Sequence, residues 1–239
     1  MNKILPLTLP LLFITSLAKA AIVTFTGGTA TLVNGGVVIT DSQSQNEGVM
    51  SYQEGDVILE YLSPNEDWGF QTVGNYYSQD NDVIHGHWTA ISAIEISREN
   101  NTAFDLQYFN LTSNTEIGGG AATGDESVAI QGFLGGEAVT KEFLLPSDDW
   151  GGDYQDVFLP DSFDNVDRVV IRDLSQWENG VYTQAEWSAF CFGMDNFVFD
   201  EVVPQELIQG NSVTLKPIPE ISSSLLGGLG LLFLLNRRR

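Results

Sequence analysis

One cysteine, two histidines and only ten basic residues in 239 set the first limits on this chain. A lone Cys191 can form no intramolecular disulfide, so the fold has to be held by packing, aided at most by an ion. His85 and His87 sit at i and i+2, which puts both on one face of a strand. With no third histidine, carboxylates would have to complete any zinc site there, and two histidines at a strand entry is the plainer reading. The shortage of Lys and Arg excludes nucleic acid as a partner, because its recognition depends on cationic phosphate contacts. Between Ala21 and Pro217 no long segment has a 3.6-residue apolar period, which argues against a helical fold. A Gly-x-Ser-x-Gly elbow, a phosphate-binding loop and an Asp-x-Asp-x-Asp-Gly loop are all missing. Glycosidases need two carboxylates at a set separation, and 32 acidic residues give no means of picking a pair.

What is present is most distinctive at the two ends. Lys3 opens a basic n-region, an uncharged and largely apolar stretch runs from Ile4 to Leu17, and Ala18-Lys19-Ala20 places small residues at both positions of a cleavage site. Pro6 and Pro10 make the stretch a poor permanent helix. Residues 1–20 therefore read as a signal peptide with a helical core, and cleavage after Ala20 makes Ala21 the mature N-terminus. At the other end, Pro217 and Pro219 break the preceding structure, Ser222, Ser223 and Ser224 lead into an apolar run over Leu225–Leu235, and Arg237, Arg238 and Arg239 follow; the expected transmembrane segment is 221–235. As a helix, 221–235 spans about 22 Å, short of a ~30 Å hydrocarbon core, and snorkelling arginines cover part of the gap. The positive-inside rule leaves the arginines cytoplasmic and the rest of the chain outside.

Both ends sharpen the charge. Five of the ten basic residues lie in these segments and all 32 acidic residues lie between Ala21 and Glu220, so five bases against 32 acids leave the ectodomain a formal −27. Such a surface favours solubility, cation binding or a salty medium, and argues against anionic lipid heads. With 43% hydrophobic and 11% aromatic residues, it is not the composition of an acidic disordered chain.

Strand signals fill the middle. Ile22–Phe25, Asp56–Leu62, Ile91–Arg98, Val128–Leu134, Val139–Leu145, Asp156–Leu159, Val166–Ile171 and Phe190–Phe199 are short apolar or alternating runs between Gly-, Asn- and Asp-rich clusters. Phe104, Leu106 and Tyr108 alternate, then the phase shifts to Phe109 and Leu111, which predicts a β-bulge. The expected fold is all-β: one jelly-roll sandwich of mainly antiparallel strands over 21–203, a linker over 204–216, and a tail over 217–239. Asp67-Trp68-Gly69 and Asp149-Trp150-Gly151 echo each other, each after a proline, as two equivalent loops rather than duplicated domains.

The tail, with Pro219-Glu220-Ile221, its apolar run and its terminal arginines, resembles the PEP-CTERM sorting tails of Gram-negative bacteria, departing from them at Ile221, where those tails have proline. The resemblance implies export, transient anchoring, and removal of the tail by an exosortase-type enzyme; a plain retained anchor is the alternative. Three further stretches, Tyr52–Val57, Thr102–Tyr108 leading to Val128–Gly132, and Gly193–Phe199, resemble jelly-roll domains found ahead of such tails. That likeness implies a galactose-binding-like sandwich, similar to carbohydrate-binding modules, with no established catalytic activity. It also implies a structural calcium held by Asp195 and Asn196 near the last strand and Glu54 near the first, a set of oxygen donors that calcium accepts. An Asp–Asn turn entering the strand explains the same pair without an ion.

Aromatic residues are the leading binding candidates. Trp68 and Trp150 lie in Gly/Asp-rich stretches, Trp88 and Trp177 flank polar segments, and Tyr76 and Tyr77 sit among Asn, Ser, Gln and Asp. Flat rings beside carboxylates and amides suit sugars, though the same side chains also serve to fill a core or seal its ends. Three functions stay open: an exported non-catalytic surface or matrix protein binding polysaccharide, a secreted polysaccharide hydrolase of the same fold, and a purely structural acidic matrix component.

Overall fold

The alternation of apolar side chains is what builds the sheets. Along Val57–Leu62 the side chains of Val57, Leu59 and Tyr61 are buried while Glu60 is exposed, and Ile94 and Ile96 do the same in the neighbouring strand. The computed structural model describes residues 21–62, 72–75, 83–86, 93–112, 128–145, 154–173, 177–178, 181–182 and 192–218. The strands among them are, in the N-terminal half, β1 (Ala21–Val23), β2 (Thr29–Leu32), β3 (Val37–Ile39), β4 (Gln45–Glu47), β5 (Val49–Glu54), β6 (Val57–Leu62), β7 (Thr72–Gly74), β8 (Val83–Gly86), β9 (Ala93–Arg98) and β10 (Leu106–Thr112). The second half adds β11 (Val128–Leu134), β12 (Glu137–Ala138), β13 (Phe143–Leu145), β14 (Gln155–Phe158), β15 (Arg168–Asp173), β16 (Trp177–Glu178), β17 (Val181–Tyr182), β18 (Phe192–Phe199) and β19 (Lys216–Pro217).

Two large sheets result. One runs β14-β10-β18-β8-β7-β4, with β1 also on β18; the other runs β19-β13-β11-β15-β9-β6-β5-β2-β3, with β12 also on β11. Every ladder in them is antiparallel. One hydrophobic cluster joins Phe109, Leu111, Phe197 and Phe199 of the first sheet to Tyr52, Leu59, Ile94, Ile130 and Ile171 of the second. The chain is therefore all-β and sandwich-like. Phe109 stacks on Phe197 with centroids 4.9 Å apart, and Phe25 meets Phe197 edge-on at 6.0 Å. Each such side chain, fully buried, contributes about 1.5–3 kcal/mol.

The predicted bulge is present: the β10–β18 register slips between Leu106 and Tyr108 and again between Tyr108 and Asn110. The segments expected to form signal and tail helices, with Ala18, Ala20, Pro219, Glu220, Ile221 and Arg237–Arg239, lie outside the described residues. Among the described residues no helix is long and apolar enough to cross a membrane. Part of the segment assigned to the linker lies against the sandwich. Ser212 bridges to Asp156, β19 pairs with β13 through Leu144↔Lys216, and the Ile218 N–H donates to the Glu142 carbonyl at 2.7 Å.

Candidate functional site

Glu54 ends β5 at the hairpin to β6, where Glu54 pairs with Val57. Gly55 takes φ 62°, the left-handed conformation that a two-residue hairpin needs at its first position. Tyr52 and Glu54 are two apart and share a face, and the Tyr52 hydroxyl donates to Glu54 Oε2 at 2.7 Å. The same oxygen accepts the Phe25 N–H at 3.0 Å. Thr24 donates its N–H and its hydroxyl to Oε1, both at 3.2 Å. The carboxylate thus closes over the two residues that follow β1. Phe25 takes φ 58°, a conformation costing a bulky residue about 1–3 kcal/mol, and its buried ring and its bond to Glu54 hold it there. A Cβ on Gly28 would stand 2.1 Å from the Tyr52 hydroxyl oxygen, so only glycine admits that ring. Burial pushes the Tyr52 hydroxyl far above the ordinary phenol range, with the Glu54 charge adding to the effect.

Asp195 and Asn196 sit where β18 changes partner along one edge. One edge of this strand pairs with β8 over Phe192–Met194 and with β1 over Phe197–Phe199, and the two polar residues fall between. Asn196 adopts φ 53°, which asparagine tolerates better than most residues. Its N–H donates to Asp195 Oδ1 at 2.6 Å, and its amide donates to Asp195 Oδ2 at 2.9 Å and to Asn110 Oδ1 at 3.0 Å. Glu54 and this pair are linked through β1, whose ladder with β18 ends at Val23↔Phe197, one residue short of Thr24 and of Asn196. A calcium ion bound at Glu54 would have to displace the Thr24 or Phe25 donors. Among the described residues no group of three or more His, Cys, Asp or Glu side chains is gathered as a metal would require.

From Asn110 the network continues to residues that sequence reasoning missed. The Asn110 amide donates to the Tyr108 hydroxyl oxygen at 2.6 Å, and that hydroxyl donates to Asp156 Oδ1 at 2.5 Å. Asp156 also accepts the N–H of Gln209 at 2.9 Å and of Gly210 at 2.7 Å. Tyr108, Asn110 and Asp156 are each fully buried. Burial and the neighbouring Asp156 charge raise the Tyr108 hydroxyl well above the usual phenol range. No local signal marks the network: the phase shift after Tyr108 puts Phe109 and Leu111 on one face and Asn110 on the other.

The remaining candidates divide. His85 is buried on β8, and its carbonyl accepts the Tyr61 hydroxyl at 2.8 Å; His87 lies outside the described residues. Trp68, Trp88, Trp150, Tyr76 and Tyr77 also lie outside them. Trp177 is placed only by its backbone, paired with Tyr182 in the β16–β17 hairpin. No family model matches the chain, and no curated protein matches it in sequence.

Proposed function

We propose that this chain is an exported, non-catalytic protein of the cell surface or extracellular matrix, with polysaccharide as its ligand class. In this reading the sandwich is a galactose-binding-like jelly roll, and an exosortase-type enzyme removes the tail after export. The observation that carries it is the order of parts: a basic-apolar-small signal before Ala21, an acidic β-domain, then Pro219-Glu220, an apolar run and three arginines. Two of the carboxylates fit a scaffold role. Glu54 is engaged by Thr24, Phe25 and Tyr52, and Asp156 by Tyr108, Gln209 and Gly210, which is how a scaffold uses a carboxylate. The bonded chain reaches Ile218, and Pro219–Ser224 separate it from the apolar run that starts at Leu225. In this reading a short tether holds the domain near the membrane until the tail is cut.

Intact mass of the protein from its native cells, followed by a glycan array on the same material, tests the reading. The expected species begins at Ala21, lacks Arg237–Arg239 and binds a polysaccharide without shortening it. Retained arginines would leave a plain anchor, and cleavage of the bound glycan would make the protein a hydrolase.

A further inference from the structure

We propose that the free edge of the second sheet, strand β3, is a self-association surface on which a second copy of this chain docks, β3 against β3. This inference stands apart from the export and sorting reading.

Strand β3 closes its sheet on one side. It pairs with β2 through Thr29↔Ile39, Ala30↔Val38 and Thr31↔Val37, and among the described residues nothing pairs with its other edge. The Thr40 N–H donates to the Gly28 carbonyl at 3.0 Å, and the Leu32 N–H to the Gly36 carbonyl at 2.8 Å, so the even-numbered positions bond inward. Antiparallel alternation then turns the N–H and C=O of Val37 and Ile39 outward. Their side chains are also in the open, 65% and 73% exposed, with Val33 nearby at 51%. The opposite edge of the same sheet is guarded: its last strand is Lys216–Pro217, a charge followed by a residue without an N–H. Lysine and proline are the usual means of blocking an edge, and β3, Val37-Val38-Ile39, has neither.

Charge selects the occupant. The ectodomain holds 32 acidic residues, yet residues 21–40 contain no Asp, Glu, Lys or Arg. The net acidity of the domain opposes contact between copies in general. At β3 an uncharged strand meets its own copy, and a strand paired antiparallel with itself about a two-fold axis is self-complementary. Three residues offer few ladder bonds, so the product is a reversible dimer.

The test is sedimentation velocity of the full chain in a non-ionic detergent, over a concentration series at low and high sodium chloride. Wild type should move from one to two protein masses with concentration, and more readily in high salt, which screens the repulsion between two acidic bodies. Ile39→Lys should weaken the dimer at least about tenfold. Should that variant fail to fold, the double variant Val37→Thr, Ile39→Thr keeps β-branched residues at both sites and should also weaken it. Hydrogen exchange at the Val37 and Ile39 amides should slow with protein concentration in the wild type. A monomer at every concentration and salt would overturn the proposal. So would a dimer that folded edge variants leave unchanged, since it would form through another partner surface or through the tail.

Discussion

The hydroxyl of Tyr108 donates to the carboxylate of Asp156 at 2.5 Å, joining β10 to the edge strand β14. The same carboxylate holds the amides of Gln209 and Gly210. The Asp156 backbone bonds the segment too, through the Asn211 carbonyl at 2.7 Å and the Val213 N–H at 3.0 Å. Asp156 is thus the clamp that lays the C-terminal segment on the sandwich. Asp156→Ala should cost about 2–3 kcal/mol in denaturant unfolding, because buried donors lose a charged acceptor. Limited proteolysis should then cut first between 204 and 217. Tyr108→Phe should cost less, about 1 kcal/mol. Unchanged proteolysis in Asp156→Ala would show that the segment is held by other contacts.

Glu54 leads to a test of the calcium expectation. Its oxygens are engaged by Thr24, Phe25 and Tyr52, so melting temperature should not change between millimolar calcium and chelator. Glu54→Ala should lower it under both conditions, by loosening β1. A calcium-dependent rise in the wild type that disappears in Asp195→Ala would place the ion at Glu54, Asp195 and Asn196.

Arg98 places a charge in the core. Its side chain is fully buried, reaching Asp200 at 2.5 Å and Asp56 at 3.3 Å, with Phe104 and Phe199 about it at 5.9 and 5.8 Å. Burial raises the Asp200 carboxyl above the usual range, against the pull of Arg98. Arg98→Ala should destabilise by about 3–5 kcal/mol, since it strands Asp200 and opens a cavity. Arg98→Met, which refills the volume, should recover part of that loss in the same denaturation experiment.

Tyr52, Tyr61 and Tyr108 should resist alkali. Burial raises all three hydroxyls above the ordinary value of 10.0. A raised folded-state pKa means that the folded chain holds the proton more tightly. That stability is fully present below about pH 10 and is lost as pH rises beyond it. In a phenolate absorbance titration, three of the seven tyrosines should ionise only with cooperative unfolding. Smooth titration of all seven in a folded chain would contradict their burial.

Much of the sheet framework was legible. Asp56–Leu62 and Ile91–Arg98 correspond to β6 and β9, and the phase shift after Tyr108 marks the slip in the β10–β18 ladder. Strands β2 and β3 were not legible, because Thr29–Leu32 and Val37–Ile39 are only four and three residues long, too short to show an alternation. Their strand state comes from pairing with each other and with β5. Asp195 and Asn196 stood out as a polar pair at a strand, but nothing local indicates that the Asn196 amide meets Asn110, 86 positions away.

The amino-acid sequence by itself determined the β class and the acidity, because strand alternation and charge are local properties that need no knowledge of neighbours. Only the tertiary structure decided which carboxylate holds which strand, which edge stays open, and that residues 205–218 pack on the domain. Those outcomes depend on contacts between distant positions, such as Tyr108 and Asp156, 48 residues apart in sequence and bonded at 2.5 Å. Many acidic residues along the chain could accept a bond of that kind. The one that does is chosen by closure of the sheets and by the cost of burying an unbonded polar group.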